Sequence, residues 1–423
     1  MRIAIQGGRV IDPAQQFDAV ADLFIAEGRI AGLGQPPAGF AADRVIDARN
    51  YIVCPGLIDL CARLREPGQE HKATIASETC AAAAGGITTL ICPPDTDPVI
   101  DEPAVVELIR RRAKAAGYAR VLALGALTHR LRGERLAEMA ALKEAGCVGV
   151  GDGGRPIANT RVLRRALEYA ATFDLTVFLT PFDPELGHGL AHEGQVATRL
   201  GLPGIPAAAE TGTLARDLEL VRDLGVRVHF GRLSSARAVE LVARARAEGL
   251  PVTADVAIHH LHLTEIDLVG FDSRCHVRPP LRGLSDKDAL RTGLASGVLG
   301  ALCSDHQPHE PDAKQAPLGD TEPGISGLDT LLALSLRLAR DGVLPLLVVI
   351  ERLTWGPARI LGLDGGHLGT GVPADICVFD PNAVWLLEPG ALHSRGQNTP
   401  FVGWELQGRV THTLLEGQVV FEG

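Results

Sequence analysis

Two residues apart, at the polar end of an apolar run, stand Cys61 and Arg63 in "DLCARLREPG" (59–68). A hydrolase that activates water with zinc would place metal ligands there. Zinc takes neutral imidazole, thiolate or carboxylate donors and keeps one position open for water. Cys61 is able to serve as a thiolate. Arg63 is not, because guanidinium stays charged and has no lone pair to give. Comparable groups end other apolar runs: Asp152 in "CVGVGDG", Arg232 in "RVHFGRL", His259, His260 and His262 in "AIHHLHL", and Asp305, His306 and His309 in "SDHQPH". Carboxylates and imidazoles of this kind suit metal binding or proton transfer. Each also has a plainer reading. Cys61 alone fits a small apolar position at the edge of a core. His259, His260 and His262 look like a metal cluster but read more plainly as non-ligand histidines, and His306 and His309 would make at most a weak site beside Asp305. His188 and His192 lie in a Gly-rich stretch and read as solvated.

Such groups need a scaffold that brings the ends of distant runs to one place. Eight apolar runs fit strands: 56–64, 88–94, 120–128, 147–153, 176–181, 227–233, 252–260 and 301–309. Helical patterns such as "EPAVVELIRRRAKAAG" and "NTRVLRRALEYAATF" fall between them. This alternation predicts an α/β fold, a (β/α)8 TIM-like barrel over 56–364, whose chemistry lies at the C-terminal strand ends. The two termini read differently. "MRIAIQGGRVID" and "GRVTHTLLEGQVVFEG" are short strand-like runs broken by tight-turn glycines, and they predict a composite β-sandwich from 1–55 and 365–423. With 46% hydrophobic and 22% charged residues the chain has ample material for a core. Its net charge of −10 argues against nucleic acid as a partner. No run reaches membrane-spanning length, and the N-terminus lacks signal-peptide architecture. The eight cysteines form no C-x-x-C pair, which predicts free thiols in the cytoplasm.

Several stretches carry a resemblance: "PGLIDLCARLREPG", "AHEGQVATRLGLPGIPAAAE", "VRPPLR", "SDHQPHEPD" and "GISGLDT". In order, and over nearly the whole chain, they are similar to the dihydroorotases of the amidohydrolase superfamily. That resemblance implies a barrel mouth built to hold zinc for closing or opening a dihydropyrimidine ring. It implies H-x-H on the first strand and one histidine each on the fifth and sixth; Cys61, Arg63, Thr180 and Arg232 stand in those four places. Asp152 matches the bridging acid, and Asp305 the acid that serves as ligand and proton shuttle. Arg65 and His309 match part of the substrate clamp, whereas two clamp asparagines are replaced by Asp95 and Arg278. An acid at 95 is expected to repel an anionic substrate. His259 and His260 match a segment that the family does not use for ligands.

Within the family the chain resembles the non-catalytic dihydroorotase-like chains that associate with aspartate transcarbamoylase in some bacteria. The resemblance then implies a pseudoenzyme without metal or cofactor. Its role would be structural: to hold aspartate transcarbamoylase catalytic chains in a hetero-oligomer, a heterododecamer, in pyrimidine biosynthesis. Two alternatives stand beside it. One is an amidohydrolase with a reduced metal site made from Asp305, Asp152, Cys61 and a histidine. The other is a sensor of a pyrimidine-pathway metabolite that keeps Arg65 and His309. Under the first reading Arg63 and Arg232 are expected to pair with Asp152 or Asp305, since two acids without metal would otherwise carry uncompensated charge in a cleft.

Overall fold

Apolar runs flanked by glycine, proline and small polar residues become short parallel strands in the computed structural model, which describes residues 1–423. The eight barrel strands are Leu57–Asp59, Ile87–Cys92, Arg120–Ala126, Gly149–Gly151, Val177–Leu179, Val228–Phe230, Val252–Ala257 and Ala301–Cys303. They pair in chain order, so the architecture is the expected α/β barrel. Ile87–Cys92 is buried along its whole length, as a strand covered on both faces must be. The helices between them obey ordinary end rules. Pro103 opens Pro103–Ala116, Gly117 at φ +75° ends it, and Val105, Val106, Ile109 and Ala113 turn inward. Asn159 caps Thr160–Thr172 by accepting from the N–H groups of Arg161 and Val162.

The strands are shorter than the runs that predict them. The eighth stops at Cys303, not at His309, and the first stops at Asp59, not at Leu64. The reason lies in the backbone. Within the sixth and eighth runs, Arg232 and Asp305 have φ of 60° and 45°, left-handed values that no strand continues through, and Arg65, just past the first run, has 63°. Closure of the barrel happens beyond the strand ends. Arg63 N donates to His306 O at 2.9 Å and His306 N donates to Cys61 O at 3.2 Å. The seam between first and last strands therefore carries Cys61, Arg63 and Asp305 within a few residues of each other.

The terminal segments join in one hydrogen-bonded set of eight strands. Ile3–Asp12 pairs with Phe17–Ala26, Arg44–Asp47 and Ile52–Pro55, and Ile52–Pro55 continues antiparallel into Ile376–Phe379. A register shift falls between Ile5 and Gly8, where Gly7 adopts φ +72°. Ile3, Ile5, Leu23, Ile25, Val53, Ile376 and Val378 form its separate core. The segment 387–404 leaves this sheet. Its Leu387, Leu392 and Phe401 join the barrel core, so the C-terminal segment serves both bodies.

Candidate functional site

The mouth is organised around Asp305, whose side chain is 1% exposed. Arg232 Nη1 donates to Asp305 Oδ1 at 2.9 Å, and Arg63 Nη1 reaches the same oxygen at 3.3 Å. Gln307 Nε2 occupies the other oxygen at 3.1 Å. Arg63 makes a second pair that the sequence does not announce: its Nε lies 2.6 Å from Asp95 Oδ2. Asp95 is therefore neutralised by Arg63, which removes the expected repulsion of an anionic substrate. Arg232 Nη2 donates to Thr180 Oγ1 at 2.7 Å. Cys61 Sγ sits 3.6 Å from Asp305 Oδ1, and burial pushes its pKa up, so it is held as a thiol. Burial works against ionisation of Asp305, yet Arg232 and Arg63 outweigh it and hold the carboxyl below the usual range.

Asp152 takes neither arginine. Its oxygens accept from Gly154 N at 2.8 Å and Thr180 N at 2.9 Å. Burial raises its pKa to about 6 despite these donors. Gly153 and Gly154, at φ 60° and 78°, carry the chain over this carboxylate. Beneath the arginines lies support that sequence reasoning missed. Asp255 Oδ1 accepts from Arg232 N at 2.5 Å, while its Oδ2 meets His229 Nε2 at 2.9 Å. Glu210 holds the following turn through Ser234 and Ser235. The available signal for Asp255 was a lone acid in the middle of the apolar run "VTADVAIHH"; nothing local marks Glu210.

Arg65 and His309 come together, but on each other. Arg65 Nη2 is 3.0 Å from His309 Nε2, and Arg65 Nε donates to Pro308 O at 3.0 Å. Lys72 Nζ reaches His309 Nδ1 at 3.3 Å. Burial, then Arg65 and Lys72, lower the His309 pKa to about 2, which keeps the ring neutral. Asn398, from the 387–404 segment, accepts from His309 N at 2.8 Å and donates to Gln307 O at 3.0 Å. Arg278 lies over the Phe182 ring, 5.6 Å from its centroid.

The remaining histidines do not gather. His306 turns away from Asp305: its Nδ1 accepts from Gly327 N, so its Nε2 donates to Glu78 at 2.8 Å. A joint site of His306 and His309 is thereby ruled out. His192 is half-buried against Arg282 Nη1 at 3.0 Å, not solvated as expected; His188 is exposed. His259 and His260 are buried and stack 4.5 Å apart, while His262 meets Leu334 O at 3.0 Å.

Zinc does not fit this donor set. Both oxygens of Asp305 and both of Asp152 already accept hydrogen bonds, and two guanidinium groups sit on Asp305. No three His, Cys, Asp or Glu side chains are arranged so that they could hold a metal ion together. A hollow of about 40 Å3 remains among Cys61, Asp152, His229 and Asp255, room for water but not for a six-membered ring. Above it opens a cleft of about 260 Å3, lined by Arg63, Arg65, Arg155, Arg232 and Arg278 against two carboxylates, Asp95 and Glu322.

Comparison with known proteins agrees with the fold. Residues 50–238 match a dihydro-orotase-like family model and residues 190–421 an amidohydrolase family model. A dihydroorotase-like protein of Pseudomonas aeruginosa is 53% identical over the full length of both chains. A dihydroorotase of Geobacter sp. is 43% identical, again over all of both chains. Among solved structures, the L-hydantoinase of Arthrobacter aurescens superposes with a TM-score of 0.90 at 22% identity, covering 99% of this chain and 96% of that one. The dihydropyrimidinase of Brevibacillus agri gives 0.86 at 21% identity, covering 100% and 95%. No helix is long and apolar enough to cross a membrane. The full-length likeness to relatives at 43–53% identity, on an amidohydrolase barrel, makes the chain a member of the dihydroorotase-like family.

Proposed function

We propose that this chain is a catalytically silent dihydroorotase-like protein of the cytoplasm that serves as a structural subunit for aspartate transcarbamoylase. The observation that carries the reading is the pair of guanidinium groups on Asp305. In a metal-dependent site that carboxylate would bind an ion and shuttle a proton. Here its charge is taken up by Arg63 and Arg232, and burial makes the loss of either partner costly. Such a barrel keeps its outer shape, and hence any surface for partners, without catalysis. The test is to express the chain alone and together with the aspartate transcarbamoylase catalytic chain of the same organism. Alone, with zinc added, it should neither open nor close dihydroorotate. Together, the two chains should co-elute as a large hetero-oligomer, the heterododecamer, and the transcarbamoylase should lose assembly or activity when this chain is omitted.

A second reading is supported by the names of relatives. The Geobacter relative at 43% identity is called a dihydroorotase, which favours a working amidohydrolase with an unusual site. Ring opening by the purified chain, dependent on added metal, would establish that reading over the first.

A further inference from the structure

Charge is distributed unevenly over this molecule. The chain as a whole is acidic, with a net charge of −10, yet its barrel mouth is cationic. Arg63 and Arg232 are neutralised there by Asp95 and Asp305. The other cations around the cleft are not: Arg65, Lys72, Arg155, Arg278 and Lys314 have no carboxylate within 4.0 Å. Lys72 is 8% exposed, and His309 Nδ1 is its hydrogen-bond partner. Lys314 donates to backbone carbonyls of Ser273 and His276 at 3.1 and 3.5 Å. Arg65 donates to the Pro308 carbonyl and the Gln69 amide oxygen, and the neutral His309 ring lies beside it. Partly buried cations satisfied only by neutral acceptors leave net charge in a cleft, an unfavourable state that an anion relieves.

We propose that the barrel mouth binds a compact, multiply charged anion of the phosphate class between Arg65, Arg155 and Arg278. This inference is independent of whether the chain assembles with a transcarbamoylase. The three arginines come from the loops after the first, fourth and seventh strands, so they surround the cleft instead of lining one wall. A planar carboxylate presents two oxygens along one edge and suits a single guanidinium fork. A phosphate presents oxygens in several directions and carries close to two charges, which matches three separate forks. The site also differs from a clamp made of Arg65 and His309. His309 is neutral, and its ring nitrogens already face Lys72, Arg65 and Pro323 O, so it has no donor left for a ligand. Arg278 is placed by the face of Phe182, which holds its guanidinium without neutralising it.

The test is calorimetric titration of the full chain with inorganic phosphate and pyrophosphate, with succinate as the dicarboxylate. Phosphate and pyrophosphate should bind with submillimolar affinity, weaken as sodium chloride is raised, and raise the melting temperature. Arg155→Ala with Arg278→Ala should weaken binding at least about tenfold, the scale of one lost charged hydrogen bond. Both side chains are exposed, so the melting temperature without ligand should stay put. Arg278→Lys, which keeps the charge and loses the fork, should fall between. Absence of binding at millimolar phosphate, unchanged affinity in the double variant, or tighter binding of succinate than of phosphate would each overturn the assignment.

Discussion

Arg232 Nη1 lies 2.9 Å from Asp305 Oδ1, joining the ends of the sixth and eighth barrel strands through side chains that are 7% and 1% exposed. Both backbones are left-handed at these residues, with φ of 60° and 45°. Such conformations cost on the order of 1 kcal/mol or more each and persist only where the surroundings fix them. Here Asp255 holds the Arg232 amide, and the ion pair ties the two ends together.

Arg232→Ala should therefore destabilise the fold by on the order of 3 kcal/mol, because Asp305 would keep only Arg63, at 3.3 Å. Adding Asp305→Asn should cost less than the sum of the two single changes, with a coupling of about 1 kcal/mol or more. Urea denaturation of the wild type, both single variants and the double variant measures this. Additive effects would mean that the two groups do not sense each other.

The arginine arrangement also sets an expectation for metal. Protein purified without chelator, incubated with zinc and desalted, should retain no stoichiometric zinc by elemental analysis. One tightly held ion per chain would show that Cys61, Asp152 and Asp305 rearrange into a ligand set that their present hydrogen bonds oppose.

The barrel is legible in the sequence because strands buried on both faces read as continuous apolar runs, as Ile87–Cys92 does. The candidate positions are legible for a related reason: polar residues that end such runs must lie at the mouth. Their partners are less so. Asp95 follows the second strand, and nothing in its spacing from Arg63 marks the 2.6 Å pair; it is the parallel pairing of the first two strands that sets the two loops side by side. Asn398 is harder still. It belongs to a segment that reads as part of the terminal sheet, and tertiary packing of Leu387, Leu392 and Phe401 carries it to His309. The true strand ends are hidden because a left-handed φ at Asp305 or Arg232 is imposed by neighbours, not by residue type.

Lowering the pH from 7 to 5 should reduce stability. Burial lowers the pKa of His259 and His276 to about 4, of His262 to about 3 and of His309 to about 2, and lowers His260 as well. In the unfolded chain each returns to about 6.5. The unfolded state thus gains protons first as pH falls through that value, and each imidazole removes on the order of 2 kcal/mol by pH 5. Three buried carboxyls act in the opposite sense. Asp59 and Asp152, raised to about 6, and Asp217, raised to about 7, take up protons in the folded chain and add stability over the same window. The five histidines outweigh them. His259→Phe should flatten the dependence, since neither ring nitrogen of His259 has a hydrogen-bond partner to lose. Wild-type protein equally stable at pH 5 and pH 7 would contradict this balance.

Restoring two histidines should not restore catalysis. Cys61→His with Arg63→His would return an H-x-H pair to the first strand, but the change leaves the rest of the mouth as it is. Arg232 would still hold Asp305 Oδ1 at 2.9 Å, and Thr180 would still offer a hydroxyl that accepts from Arg232 at 2.7 Å. The change would also strip Asp95 of its partner, leaving a carboxylate that is 17% exposed in the cleft where an anionic ring would have to enter. Two broken pairs to Arg63 should lower stability by on the order of 2 kcal/mol, less than for a fully buried pair because Arg63 is 11% exposed. The double variant, loaded with zinc, should show no opening of dihydroorotate above background in a spectrophotometric assay. Ring opening that requires added zinc and vanishes with Asp305→Asn would mean that two imidazoles suffice to displace Arg232 from Asp305, and that the ion pair is a weaker lock on the mouth than its burial implies.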